Sequence, residues 1–146
     1  MKTQPLLAQV EADARAAGLP ITNLARTLGP DDLGNCHVTG RVGSLCLRFV
    51  RDRGQDWLEI GPTDAIPPRF YSFQDAQIAF GWKSIEEVLD MRDVEPLGDV
   101  LKLLANRLAE IARALGDCSS SRVWKQVEKA ADARAGAFAA RLRSSP

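Results

Sequence analysis

The stretch LRFVRDRGQDWLEIGP, Leu47 to Pro62, constrains the fold more than any other part of the chain. Apolar and polar residues alternate on both sides of a charged tip, which is the period-two pattern of a half-buried β-hairpin. Gly54 lies in that tip and can adopt the positive φ that a tight loop needs. The stretch therefore predicts two antiparallel strands joined by a short turn.

The same stretch predicts the register of the two strands. A loop of two or of four residues gives the same pairs, and a one-residue slip would mix apolar with polar side chains on one face. The predicted pairs are Leu47 with Ile60, Phe49 with Leu58, Arg48 with Glu59, and Val50 with Trp57. One face of the hairpin is then wholly apolar and should pack against the core.

Most of the remaining chain has helical spacing of its apolar residues. Ser72 and Ser84 each precede a short helical pattern with an acidic residue three positions on, as helix N-termini often do. We expect one domain, residues 1–146, with an α+β fold in which a small antiparallel sheet packs against several helices. The expected parts are N-terminal helices within 1–29 (TNLARTL being a second, short helix), a short strand at 36–38, the hairpin at about 44–61, a third strand in FYS, short helices within 73–91, and long helices within 96–143.

Composition excludes several classes of protein. The 146 residues include 45% hydrophobic side chains and carry no formal net charge, which argues against disorder and against an electrostatic grip of the whole chain on nucleic acid or on an anionic membrane. No apolar run is long enough to span a bilayer. Glu11 and Asp13 interrupt the pattern that an export signal would need, and the three cysteines have no CxxC spacing, so we expect a reducing cytoplasm.

Few residues point to catalysis. Cys36 and His37 are adjacent, and adjacent side chains on an extended chain point to opposite faces, so we expect His37 to be structural. Cys46 lies in a strand-like run and should be a small buried side chain. Glu59 is a candidate acid, but Arg48 opposite offers it an ion-pair partner. The chain has no zinc-ligand cluster, calcium loop or phosphate-binding loop, and we predict no catalytic residue, no metal and no cofactor.

Charge is distributed unevenly along the chain. Residues 55–99 hold ten Asp/Glu and three Lys/Arg, a balance of −7, whereas residues 100–146 hold four and nine, a balance of +5. Such asymmetry is evidence about partners. The basic last helix either binds the phosphates of a nucleic acid or balances the charge of the acidic block within the fold, and we favour the second interpretation. Large aromatic residues lie among the acidic ones, as they do in protein interfaces.

Several of these segments together resemble a known class of protein. FVRDRGQDWLEIGP, a proline-bearing loop, FYSFQDAQIAFGW, and SIEEVLDM followed by a leucine-rich helix are similar to small immunity proteins of bacterial polymorphic-toxin systems, including the contact-dependent growth inhibition and Rhs types. The similar part runs from about Leu45 to Leu115. The resemblance implies a cytoplasmic binder without catalytic activity that occludes a cognate toxin domain, often a nuclease with a basic cleft.

The predicted partner is therefore a protein toxin domain, with no membrane and no nucleic acid, and the exposed aromatic residues also permit a homodimer. Carboxylates would pair with toxin Arg and Lys, and aromatic rings would fill pockets. The predicted contact residues are Asp56, Trp57, Glu59, Asp64, Tyr71, Asp75, Glu86, Glu87, Asp90 and Asp93. Two alternatives remain: a small enzyme that uses Glu59 or the Cys36/His37 region, and a regulatory module that binds nucleic acid through the last helix.

Overall fold

Five strands form one antiparallel sheet in the computed structural model, which describes residues 4–28, 35–63, 67–91, 95–115 and 121–144. The strands lie side by side in sequence order, and the described part of the chain contains five helices. The elements are α1 (Leu6–Ala17), β1 (Thr22–Leu28), β2 (Asn35–Val42), β3 (Leu45–Asp52), β4 (Gln55–Pro62), β5 (Tyr71–Ser72), α2 (Phe73–Ala79), α3 (Ile85–Leu89), α4 (Leu97–Leu115) and α5 (Ser121–Ser144). The predicted α+β fold is confirmed.

The central hairpin, β3 with β4, has the predicted register. Leu47 pairs with Ile60 and Phe49 with Leu58, and all four side chains are buried. The turn places Gly54 at φ 79° and the residue before it also at positive φ, which matches the right-handed twist of the two strands. Alternation of apolar and polar residues was therefore sufficient to define this part of the sheet.

The first strand differs from the sequence-based expectation. The segment TNLARTL was predicted to be a short helix, but it forms β1 and pairs with β2 at the edge of the sheet. β2 is also longer than the predicted 36–38 segment, because it pairs with β3 along its whole length. Pairing with the edge of the next strand outweighs a weak local helix preference. β1 is irregular, with two register shifts and Asn23 at φ 57°.

The other end of the sheet depends on one glycine. A Cβ atom at Gly61 would lie 1.8 Å from the carbonyl oxygen of Arg69, so the segment that leads into β5 can approach β4 only if residue 61 has no side chain. This close approach places β5 beside β4, and β5 continues directly into α2. The third strand predicted in FYS is thus confirmed.

The helices cover one face of the sheet. Ser72 accepts a hydrogen bond from the backbone N–H of Gln74 at the start of α2, and Ser84 forms a full capping box with Glu87 at the start of α3. α1 packs on α4, and α5 packs on α2 and α3. Their buried side chains join the apolar face of the hairpin in one core, which includes Leu6, Val10, Leu47, Phe49, Leu58, Ile60, Leu101, Leu104, Ile111, Val123, Trp124 and Val127. No helix in the described ranges is long and apolar enough to cross a membrane.

Candidate functional site

Most of the predicted acidic contact residues already have a basic partner within the chain. Asp56 accepts two hydrogen bonds from Arg51, at 2.6 and 2.8 Å, and Arg51 also donates to the backbone of Gln4. Glu59 pairs with Arg48 across the hairpin, as the register predicted. These two carboxylates are therefore occupied by internal ion pairs and are held close to the sheet.

Asp75 is the most deeply buried of the predicted carboxylates. Its side chain is 4% exposed, and it accepts two hydrogen bonds from Arg134 of α5, at 2.5 and 3.1 Å. This hydrogen bond raises the pKa of Arg134, although burial acts in the opposite direction. The pair connects α2 to α5, so the contribution of Asp75 in this fold is to hold two helices together.

The carboxylates of α3 remain accessible. Glu86 and Asp90 are 71% and 68% exposed, and both contact Arg141 of α5, at 2.6 and 2.8 Å. Their hydrogen bonds, that of Asp90 first, raise the pKa of Arg141. Glu87 is also exposed and caps its own helix. Two carboxylates thus share one guanidinium at this surface, and a third carboxylate lies exposed on the same short helix.

The aromatic contact residues have different environments. Tyr71 stacks on Trp124 with ring centroids 5.8 Å apart, and its hydroxyl donates a hydrogen bond of 2.7 Å to Glu128. Burial and this carboxylate raise the pKa of Tyr71. Trp57 is half-buried beside a cavity between the sheet and the helices. The predicted contact residues Asp64 and Asp93 lie outside the described residues.

Two residues that the sequence analysis did not propose stand out at the end of α5. Phe138 and Leu142 continue the helical spacing of apolar residues in the last helix, but they are 53% and 61% exposed. They are the only large hydrophobic side chains with such exposure in the described part of the chain. Arg141, which contacts the α3 carboxylates, lies between them in sequence. We call Phe138, Leu142, Glu86, Glu87 and Asp90 the α3–α5 surface.

Two arginines of the basic last helix balance the acidic block within the fold, which is the interpretation that the sequence analysis favoured. Arg134 and Arg141 pair with α2 and α3, so the acidic block and the basic segment meet within the fold. Lys125 and Lys129 are exposed on another side of α5. Part of the charge asymmetry is therefore internal complementarity between two segments.

The cysteine and histidine residues do not converge. Cys36 is fully buried in the core, whereas His37 lines an open groove on the other face of the sheet. Cys46 was expected to be buried but is only partly covered, and it lines the same groove, because its strand position faces away from the helices. Among the residues that the structure describes, no three His, Cys, Asp or Glu side chains come together as a metal site.

A cavity of about 330 Å³ lies between β4, α2, the start of α4 and α5. Gln77 is at its wall and is 2% exposed. Sequence reasoning missed it, although a signal was available: Phe73, Ala76 and Gln77 have the spacing of one buried helix face, and Gln77 is the polar residue of that face.

Protein-family models, curated proteins and solved structures were all compared with this chain, and none of them matches it.

Proposed function

We propose that this chain is an immunity protein that binds a cognate toxin domain of the nuclease type and neutralises it by covering its basic active-site surface. The observation that carries the proposal is the α3–α5 surface, where α5 exposes two apolar side chains and Arg141, which lies between them in sequence, contacts two exposed carboxylates of α3. The protein acts by occlusion, and none of its residues takes part in bond making or breaking.

The apolar component supplies affinity. Single exposed apolar residues are common, but Phe138 and Leu142 are one helical turn apart and form a pair on the same side of α5. A large aromatic beside an aliphatic side chain is the kind of anchor that fills a pocket of a partner protein. Burial of both side chains would contribute about 1.5–3 kcal/mol each before the costs of association.

The acidic component supplies selectivity. A nuclease must hold an anionic substrate and therefore presents a basic cleft, which attracts exposed carboxylates and accelerates encounter at low salt. Glu86 and Asp90 are exposed and can turn toward such a cleft by sharing or exchanging Arg141, and the exposed Glu87 adds its charge beside them. Asp56, Glu59 and Asp75 are held by internal partners, so in this proposal they support the surface and do not contact the toxin directly.

The test is capture of the partner from the encoding cell with the tagged full-length protein at low and high salt. We expect a stoichiometric partner that is retained less at high salt, is toxic when expressed alone and is harmless when this protein is co-expressed. A partner that is not toxic, or whose toxicity this protein does not relieve, would contradict the proposal.

Variants then locate the interface. Replacement of Phe138 and Leu142 by Ser should increase the dissociation rate at every salt concentration, since it removes apolar contacts. Reversal of Glu86, Glu87 and Asp90 to Lys should instead slow association and reduce its salt dependence. The matched control is K125E with K129E, which changes charge on another side of α5 and should leave binding unchanged. Equal binding by all three variants would place the interface elsewhere.

A further inference from the structure

The buried amide of Gln77 is the most unusual polar group of the interior. Gln77 is 98% buried on α2, and its backbone carbonyl accepts hydrogen bonds from the backbone N–H groups of Trp82 and Lys83. Its side chain has no hydrogen-bond partner among the described residues. A buried amide that lacks a partner destabilises the folded state. The cavity that Gln77 lines is therefore the place where a bound molecule can offer its amide a partner.

The ionised side chains around this cavity leave little uncompensated charge for a ligand. Asp56 is held by Arg51, Glu95 lies 2.5 Å from Lys83, and Arg134 is held by Asp75. Each wall charge thus has an opposite charge in contact with it. A charged ligand would have to give up its hydration without finding a free counterion, so the site favours a neutral molecule.

The remaining walls are apolar and partly aromatic. Trp57 and Leu58 come from β4, Phe73 from α2 and Val100 from α4. Mainly apolar walls with one or two precisely placed polar groups are typical of small-molecule sites, and aromatic walls favour flat rings. The volume of about 330 Å³ lies at the lower end of the range of such sites.

We propose that this cavity binds a small, neutral, planar molecule with an amide-like edge, and that Gln77 pairs with that edge. A carboxamide offers one acceptor and two donors, so it forms two parallel hydrogen bonds with a ring that presents an N–H donor next to a carbonyl or ring-nitrogen acceptor. Nucleobases are the commonest rings of this kind. The site is distinct from the α3–α5 surface and does not depend on the proposed function.

The first test uses uracil and adenine as probes of the isotope-labelled full-length protein in nuclear magnetic resonance. We expect saturable shifts of the Gln77 side-chain amide and the Trp57 indole N–H signals. The matched control ligand is 1,3-dimethyluracil, which keeps the ring but has no N–H donor, and it should bind at least roughly tenfold more weakly because it leaves one hydrogen bond unmade. The absence of saturable shifts with both uracil and adenine would overturn the proposal, and so would equal binding of the dimethyl control.

The second test distinguishes an amide that binds a ligand from an amide that stabilises the folded protein. Q77M replaces the amide by an apolar side chain of similar volume, and Q126M makes the same change at an exposed position of α5. We expect Q77M to raise the ligand-free Tm and to abolish probe binding, while Q126M changes neither. A lower Tm of ligand-free Q77M would mean that the amide already stabilises the empty protein, which would also overturn the proposal.

Discussion

The two halves of α5 both have apolar residues at helical spacing, but the environments of those residues are very different. In the first half, Val123, Trp124, Val127 and Ala130 are buried against the core. In the second half, Phe138 and Leu142 stay in contact with solvent. Both halves have helical spacing of apolar residues, so the difference arises from what lies opposite. Tyr71 of β5 stacks on Trp124 in the first half, whereas near the end of the second half Arg141 contacts two exposed carboxylates of the short α3.

The ion pairs of α5 show a related contrast, between a buried pair and an exposed one. Arg134 and Arg141 each contact carboxylates at hydrogen-bond distance, and in each case those hydrogen bonds raise the pKa of the arginine. The side chain of Asp75, however, is 4% exposed and that of Asp90 is 68% exposed. The two pairs therefore differ in burial and not in the type of contact. The buried Arg134–Asp75 pair holds α5 against α2, whereas the exposed Arg141–Asp90 pair can open when a partner binds.

The largest predicted difference concerns the apolar side chains of the two halves. Trp124→Ala removes a buried ring that stacks on Tyr71 and should lower the free energy of unfolding by about 3–5 kcal/mol. Phe138→Ala should change it by no more than about 0.5 kcal/mol, because the side chain is mostly exposed already. Urea denaturation of both variants measures the difference. A comparable loss for Phe138→Ala would show that the second half is covered as well.

The next effect concerns the two arginines. Arg134→Met leaves the Asp75 carboxylate buried without its partner and should cost about 2–3 kcal/mol, a value reduced from that of a fully buried pair because Arg134 itself is one-third exposed. Arg141→Met should cost less than about 1 kcal/mol. Asp75→Asn in the Arg134→Met background should recover part of the loss. An equal cost for both arginines in urea denaturation would refute the assignment of separate roles.

Local patterns were sufficient to predict much of the fold. Alternation defined the central hairpin and its register, and the capping residues Ser72 and Ser84 defined where two helices begin. β1 could not be predicted in the same way. Its residues have no strong preference of their own, and the strand exists because the edge of β2, the next strand along the chain, offers it hydrogen bonds.

The candidate site was less predictable, because its contacts join distant residues. The sequence indicates an acidic block and a basic segment, but it does not say whether they face each other or a partner. Arg134 and Asp75 are 59 positions apart, and Arg141 and Glu86 are 55 apart. Periodicity alone also could not show that Phe138 is exposed. The spacing of apolar residues along a helix is the same whether or not another element covers them.

The smallest predicted effect uses Tyr71 as a reporter of the first half of α5. Tyr71 is the only tyrosine of the chain, so phenolate absorbance follows a single group. Burial, followed by the hydrogen bond to Glu128, raises its pKa above the ordinary value of 10.0. Because the folded protein holds this proton more tightly than the unfolded chain, the contribution to stability is complete below pH 10.0 and is lost as the pH rises through the folded value.

Two variants separate the causes of that shift. Tyr71→Phe removes the hydroxyl and should cost about 0.5–1 kcal/mol at neutral pH while reducing the loss of stability above pH 10.0. Glu128→Gln removes the negative charge, so the pKa of Tyr71 should fall but stay above its ordinary value, since burial is the larger cause. A complete return to the ordinary value in Glu128→Gln would mean that the ring is not held against Trp124. The first half of α5 would then be docked less firmly than its buried residues indicate.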